Sequence, residues 1–250
     1  MRGAEGTALL AAAGLRKRFG ALVVLNSVDF TLRAGDAVGI VGPNGAGKTT
    51  LLSVFAGSQR LDAGTIHFRG ADVTSAGAAA RCRLGIARAH QVPKPFGGMT
   101  VFENVLVGAS AGGRRRRRDA YRAVVEVLEL CELEHLANRP AESLGLLHRK
   151  RLELARALAT DPQVLLLDEI GAGLTDEEAA ELVTTIREVR RDDIAIVWIE
   201  HIVHVLIQVT ERLVCMDSGR VIADGAPDAV MKDAAVIDAY LGRTAPEAFV

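Results

Sequence analysis

Short apolar runs broken by glycine and aspartate make up the first third of the chain. Residues 28–42, VDFTLRAGDAVGIVG, and residues 64–73, GTIHFRGADV, have the lengths and turn residues of β-strands, the second as a hairpin. From about Thr100 to Leu158 the apolar positions recur instead with a helical period. One helical face there carries Val124, Val127, Leu128 and Cys131. The pattern predicts strands followed by a mostly helical insertion.

Strands and helices alternate again after Asp161. Residues 163–169, QVLLLDE, and 194–201, IAIVWIEH, are predicted strands, and an acidic helix is expected from about Asp176 between them. Residues 212–225 contain two strand-like runs joined by the turn sequence DSG. This alternation predicts an α/β fold built on a largely parallel sheet.

Composition narrows the class of protein. A chain of 250 residues with 49% apolar and 24% charged residues has the size and balance of one large globular domain. Its net charge of -1 gives no general attraction to nucleic acid or to an anionic bilayer. The longest apolar runs are cut by Asp168 and Glu200, so we expect no membrane span. The widely spaced Cys82, Cys131 and Cys215 are predicted to be core thiols in a reducing compartment.

The most specific local motif is GPNGAGKTT, which matches GxxxxGK[ST] between a predicted buried strand and a predicted helix. Glycines let the backbone wrap phosphate groups, and the helix N-terminus adds positive charge. Lys48 is expected to contact the β- and γ-phosphates and Thr49 to hold Mg²⁺. The predicted phosphate-binding residues are Gly42, Pro43, Asn44, Gly45, Ala46, Gly47, Lys48, Thr49 and Thr50.

A second motif, VLLLDE, places Asp168 and Glu169 at the carboxyl end of a buried strand, where α/β sheets bind their ligands. Asp168 suits Mg²⁺ coordination. Glu169 is suited to orient and deprotonate a water beside the γ-phosphate. With the phosphate-binding loop, the pair predicts Mg²⁺-dependent hydrolysis of ATP.

These motifs and three further residues occur in the order found in ABC-type ATPases, which the chain resembles over nearly its whole length. The resemblance implies that Gln91 contacts Mg²⁺ and the attacking water and couples the site to a membrane subunit. It implies that His201 contacts the γ-phosphate. Phe19 would stack on adenine, with a core phenylalanine as the alternative.

The resemblance also implies a fold: a P-loop NTPase, RecA-like α/β core with an antiparallel β subdomain and a helical subdomain. One domain would span residues 8–250. Residues 8–91 and 160–225 would form the core and β subdomain, residues 92–159 the helical subdomain, and residues 226–250 a C-terminal helical extension.

More narrowly, RFGALVVLNSVDF, MTVFENVLVGA, WIEHIVHVL and the final VIADGAPDAVMKDAAVIDAYLG resemble ATPase subunits of branched-chain amino-acid importers and their relatives for amides and urea. The implied partners are membrane permease subunits, a second ABC ATPase subunit and, indirectly, an extracytoplasmic solute-binding protein. No nucleic-acid partner is expected. The implied location is the cytoplasmic face of the cell membrane, as a peripheral subunit.

The chain departs from this family at the signature motif. Members usually carry LSGGQ or LSYGQ, whereas Leu144–His148 reads LGLLH. Aligning RLELARAL puts Gly145 at the serine position and Leu147 at the second glycine; a shift to Ser143 would restore the serine but not the motif. Two subunits pack head to tail in this family, so we expect a heterodimer with one working site and one impaired site.

Two smaller features leave alternatives open. Thr175 stands where the family usually has Asp or Asn, and the next residue, Asp176, is expected either to replace it or to cap the following helix. The run Arg114 to Arg118 fits a solvated turn, with anionic lipid contact as the alternative. The alternative function is that of a soluble ABC ATPase acting on nucleic acid or ribosomes. A P-loop kinase or GTPase would not explain Gln91, His201 and RLELARAL together.

Overall fold

The computed structural model describes residues 8–113, 115–190 and 194–241. The strands are β1 Leu10–Phe19, β2 Leu22–Leu32, β3 Ala37–Val41, β4 Ala63–Phe68, β5 Ala71–Asp72, β6 Ile86–Ala89, β7 Val164–Asp168, β8 Ala195–Ile199, β9 Arg212–Asp217 and β10 Arg220–Gly225. The α-helices are α1 Lys48–Phe55, α2 Ala78–Leu84, α3 Val101–Val107, α4 Arg117–Leu130, α5 Leu146–Leu158, α6 Asp176–Arg190, α7 Val203–Leu206, α8 Pro227–Val230 and α9 Ala234–Leu241. A π-helical turn at Gly108–Gly112 continues α3, and 3₁₀ turns lie at Glu134–Leu136 and Ala141–Ser143.

The larger sheet has six strands in the order β10-β9-β3-β8-β7-β6. Neighbouring strands from β9 to β6 are parallel, and only β10 pairs antiparallel within this sheet. Every residue of β3, β7 and β8 is buried, as expected for parallel strands covered on both faces. The carboxyl ends of these strands therefore meet at one edge of a rigid sheet.

The smaller sheet is antiparallel, with the order β2-β1-β4-β5. It packs over one face of the larger sheet, where one apolar cluster includes Phe30, Phe55 and Ile199. A second cluster joins the opposite face, including Trp198, to helices α3 to α6. Each apolar side chain of the central strands β3, β7 and β8 thus contributes to one of two cores, which fixes the register of the strands that carry the site.

Arg81 of α2 holds the β subdomain to the end of α1. Its guanidinium is fully buried and donates to the carbonyls of Val54 and Phe55 in α1 at 2.7 and 2.9 Å. It also donates to the carbonyls of Val73, Thr74 and Ala76. One cation therefore satisfies carbonyl groups at the C-terminus of α1, which helix geometry leaves without an internal partner.

Several local predictions are confirmed. The segment GTIHFRGADV forms the antiparallel pair β4–β5, and the DSG sequence turns between β9 and β10 with positive φ at Ser218 and Gly219. Val124, Val127 and Leu128 of the predicted helical face lie in α4, and Cys131 is the C-cap of that helix. Val127 is partly buried. All three cysteines lie in the described part of the chain as free thiols; Cys131 and Cys215 are buried, and Cys82 is half-buried.

The arginine run sits at the start of α4. Arg114 lies outside the described residues, and Arg115 forms an ion pair with Asp161 at 2.9 Å. Arg116, Arg117 and Arg118 are exposed. No helix within the described ranges is long and apolar enough to cross a membrane. The division into subdomains at residues 91/92, 159/160 and 225/226 stays a prediction.

Candidate functional site

A glycine-rich loop, residues 42–47, connects the buried strand β3 to α1. Two glycines in it cannot carry a side chain. A Cβ on Gly42, whose φ is 140°, would lie 2.0 Å from the carbonyl oxygen of Met216, and one on Gly47, at φ 100°, would lie 2.5 Å from that of Val24. The loop is therefore held tightly between β9 and β2, with its backbone turned around a central space.

Lys48 is the first residue of α1, and its side chain is enclosed by this loop. Its Nζ donates to the carbonyls of Gly42 and Pro43 at 2.6 and 3.0 Å. Burial lowers the pKa of Lys48, although the nearby Glu169, Cys215 and Asp168 act in the opposite direction. The ammonium is held where a phosphate chain wrapped by the loop would meet it.

A cleft of about 300 Å³ opens over the loop. Its lining residues are Leu22, Val24, Asn44, Gly45, Ala46, Gly47, Lys48, Thr49, Thr50 and Glu169. The N–H groups of the first residues of α1 lie beside the cleft. Helix geometry leaves them without a hydrogen-bond partner inside the helix, so they can bind an anion. The donors and the space therefore fit a polyphosphate.

Thr49 and Asp168, the two side chains predicted to hold Mg²⁺, lie together. The Thr49 hydroxyl donates to Asp168 Oδ1 at 3.4 Å, and the other carboxylate oxygen accepts from Arg88 Nη2 at 2.5 Å. Within the described ranges, no group of three or more His, Cys, Asp or Glu side chains could hold a metal. A cation at Thr49 and Asp168 would thus depend on further ligands from phosphate and water, as Mg²⁺ sites with nucleotides do.

The structure brings together the three residues predicted to act on the reacting water and phosphate. Glu169 follows β7, Gln91 follows β6 and His201 follows β8. Gln91 Nε2 donates to Glu169 Oε2 at 2.5 Å, and His201 Nε2 lies 2.9 Å from Glu169 Oε1. The backbone φ of Glu169 is 47°, which is uncommon for a residue other than glycine. Both of its oxygens therefore contact residues from the neighbouring strands.

Phe19 ends β1 and faces Leu22 across the turn to β2. Its side chain is 48% exposed, so the alternative of a core phenylalanine is wrong. Leu22, its partner across the turn, lines the phosphate cleft. Lys17 Nζ lies 5.2 Å from the ring centroid.

The signature segment forms the start of α5. Gly145 is the N-cap, at φ −67° and ψ 171°, and a Cβ there would meet no described atom within 4 Å. Leu147 is buried. The Ser143 hydroxyl donates to the carbonyl of Pro140 at 2.8 Å in the preceding 3₁₀ turn. Gly145, rather than Ser143, is therefore the residue at the start of α5.

Thr175, and not Asp176, caps the start of α6. Thr175 Oγ1 accepts from the Glu178 N–H at 3.2 Å, and Glu178 Oε2 accepts from the Thr175 N–H at 3.0 Å. This reciprocal pair is a capping box. Asp176 is the first helical residue, so the expectation that it caps α6 is wrong.

Three polar residues were missed from the sequence, of which Lys150 and Glu200 are buried and Arg88 is half-buried. Arg88 pairs with Asp168, and Lys150 of α5 donates to the Gln91 carbonyl at 2.6 Å. Glu200 Oε1 accepts from the Gly171 N–H at 2.7 Å and faces Trp198 Nε1 at 3.3 Å. Burial raises the pKa of Glu200. A charged residue at the end of a buried strand, as in WIEH, is the signal that could have identified Glu200.

Two family models and several known proteins match this chain. A family model described as ABC transporter matches residues 25–172, and one described as branched-chain amino acid ATP-binding cassette transporter matches residues 220–246. The branched-chain amino acid transport ATP-binding protein LivG of Salmonella typhimurium is 35% identical, over 94% of this chain and 98% of its own. BraF of Pseudomonas aeruginosa, a protein of the same description, is 32% identical over the same shares.

A crystal structure of MJ1267, an ATP-binding cassette of an ABC transporter, superposes with a TM-score of 0.85 at 30% identity, over 94% of this chain and 99% of that one. The predicted RecA-like core, antiparallel β subdomain and helical subdomain are thereby confirmed. The family model spans more than half of the chain, and its residues include the glycine-rich loop, Lys48, Asp168 and Glu169. The chain belongs to the ABC transporter family and is one of its ATP-binding, ATP-hydrolysing cassettes.

Proposed function

We propose that this chain is the ATPase subunit of an importer for branched-chain amino acids or a related amide or urea. The convergence of Gln91, Glu169 and His201 beside the phosphate cleft supports the ATP-driven part of the proposal. The solute class is supported by the family model at residues 220–246 and by the description of LivG and BraF.

ATP binding is assigned to the loop and the start of α1. Lys48 and the backbone N–H groups of Gly45 to Thr50 bind the phosphates, and the exposed ring of Phe19 stacks on adenine. Thr49, Asp168 and Gln91 would hold Mg²⁺ together with phosphate and water oxygens. When bound, Mg²⁺ supplies positive charge that stabilises the phosphate oxygens.

Hydrolysis is assigned to Glu169, His201 and Gln91. Glu169 accepts a proton from the attacking water, and Gln91 orients that water. His201 donates to the γ-phosphate. Gln91 and His201 each contact one oxygen of Glu169, and each carboxylate oxygen keeps a second lone pair that can accept from the attacking water.

The membrane partners follow from the importer assignment. Permease subunits bind this chain at the cytoplasmic face of the membrane, where it is a peripheral subunit, and an extracytoplasmic protein delivers the solute. The test is uptake of radiolabelled leucine, and separately of urea and acetamide, by vesicles carrying the reconstituted complex, with Lys48→Ala in parallel. We expect uptake by the wild-type complex that is lost in Lys48→Ala. ATPase activity stimulated by DNA or RNA but not by permease would contradict the proposal.

A second ABC ATPase subunit completes the transporter. The start of α5, with Gly145 and Leu147, would face the nucleotide of the partner subunit and lacks the serine hydroxyl that caps phosphate elsewhere in the family. The site at this chain's own loop receives the partner's signature and hydrolyses ATP, whereas the opposite site binds ATP and turns over slowly. Equal hydrolysis at both sites of the reconstituted pair would contradict this asymmetry.

A further inference from the structure

Lys150 lies in α5, two residues after the signature segment ends at His148. Its side chain is buried, at 3% exposure, although lysine is rarely enclosed without a partner. The partner is the backbone carbonyl of Gln91, 2.6 Å from Nζ. The helix that begins with the signature is therefore tied directly to the loop that carries Gln91.

Gln91 extends this contact to the reacting centre. Its carbonyl accepts from Lys150, while its side-chain amide donates to Glu169 Oε2 at 2.5 Å. One residue thus joins a buried cation of α5 to the carboxylate at the end of β7. A displacement of α5 by an ångström would move the Gln91 backbone with it and change the contact with Glu169.

A second basic residue of α5 holds the loop further along. Arg156 Nη1 donates to the Lys94 carbonyl at 2.9 Å, and its guanidinium lies 4.7 Å from the centroid of the Phe96 ring. These contacts fix the part of the loop beyond Gln91. Lys150 alone, of these two, holds the residue that contacts Glu169, so the two anchors have separable roles.

The charge of Lys150 suits this place. Burial lowers the pKa of Lys150, but Glu200, Glu169 and Glu153 around it favour the charged form. A neutral side chain would leave the Gln91 carbonyl without its charged donor, and charge-assisted hydrogen bonds are about twice as strong as neutral ones. The lysine therefore fixes the loop more firmly than an apolar contact would.

We propose that Lys150 is a positioning residue that places Gln91, and through Gln91 the Glu169 carboxylate, for ATP hydrolysis. This inference rests on the roles proposed above for Gln91 and Glu169. It also gives α5 a second task, since the same helix presents the signature segment to the partner subunit. Occupancy of the partner's nucleotide can then alter Gln91 in this chain through a shift of α5.

The test is a double-mutant cycle between Lys150→Met and Gln91→Ala, in the complex of this chain with a second ABC ATPase subunit. For each variant, kcat and KM for ATP and the melting temperature are measured. We expect Lys150→Met to lower kcat about tenfold, or about 1.4 kcal/mol, with KM nearly unchanged. In the Gln91→Ala background, Lys150→Met should produce no further loss, because the side chain that it positions is already gone.

Arg151→Met is the matched control. Arg151 is equally buried on the same helix but pairs with Glu132 and Glu181 at 3.0 Å each rather than with the loop that carries Gln91. Its effect on kcat should multiply with that of Gln91→Ala, as expected for independent sites. If Lys150→Met does not fold, Lys150→Gln, which keeps an N–H donor without the charge, goes through the same cycle with the same expected non-additivity.

The outcomes separate the two levels of the proposal. If Gln91→Ala alone turns over at the wild-type rate, the role assigned to Gln91 is wrong and the role of Lys150 is overturned with it. If Gln91→Ala is slow and the lysine substitution still adds its full factor, only the inference about Lys150 is overturned. A change confined to KM or to the melting temperature would also contradict a positioning role.

Discussion

The carboxyl edge of the parallel sheet and the amino end of α5 differ in the polar side chains that they present. At the sheet edge, Lys48, Asp168 and Glu169 are each held by short hydrogen bonds to residues from other elements. At the start of α5, Gly145 has no side chain and Leu147 has an apolar side chain that is largely buried. Under the proposed function, the chain would supply the catalytic groups for its own nucleotide but no serine hydroxyl for a partner's, which predicts unequal sites.

The largest effect is expected from removing the carboxylate at one site at a time. In the reconstituted pair, Glu169→Gln should lower ATP turnover about 10²- to 10⁴-fold, since it removes the proton acceptor while keeping the size of the side chain. The equivalent substitution in the partner should leave most of the turnover. Phosphate release measures both, and equal losses would contradict the asymmetry.

The second prediction concerns Arg81, which joins the C-terminal end of α1 to the β subdomain. Arg81→Met should lower the free energy of unfolding by about 3 kcal/mol, because carbonyls at the end of α1 and in the β subdomain lose their buried donor. Urea denaturation measures the change. Arg83→Met, an exposed position on the same helix, is the control and should have little effect. A loss under about 1 kcal/mol for Arg81→Met would show that the Arg81 hydrogen bonds contribute little to stability.

The deficiency at α5 is tested by restoring the serine. Gly145→Ser meets no neighbouring described atom and keeps an allowed φ. One aligned donor to transition-state charge is worth about 10²-fold or more, so even imperfect alignment should raise turnover at the opposite site about tenfold. The measurement uses the Glu169→Gln background, which isolates that site. Gly145→Ala adds the Cβ without the hydroxyl and should give no gain; a gain equal to that of serine would refute the explanation.

The smallest effect concerns pH and the buried Glu200 behind the sheet edge. Its folded-state pKa lies above the ordinary value of 4.5, so its favourable contribution is complete below that pH and is lost as pH rises through the folded pKa. Glu200→Gln keeps an acceptor for Gly171 but cannot ionise. The melting temperature of the variant relative to wild type should therefore rise between pH 5 and pH 8. A difference independent of pH would contradict a perturbed carboxyl group.

The two regions also differ in how far the sequence predicts them. The loop from Gly42 to Thr49 and the Asp168–Glu169 pair were predicted because glycine spacing and a buried strand end are local signals. The contacts Arg88–Asp168 and Lys150–Gln91 join residues 80 and 59 positions apart. They depend on the strand order β8-β7-β6 and on the packing of α5, which no local pattern specifies. The Thr175 cap was overlooked although Thr175 and Glu178 have the spacing of a capping box.

The central claim is that this chain hydrolyses ATP at its own loop only when another subunit supplies an intact signature. The most direct measurement is steady-state ATP hydrolysis by the purified chain alone, and then with a related ABC ATPase that carries LSGGQ. We predict activity that requires the second subunit and disappears in Glu169→Gln. Strong activity from the chain alone would mean that Leu144–His148 is a competent signature and that a homodimer suffices, which would contradict the account.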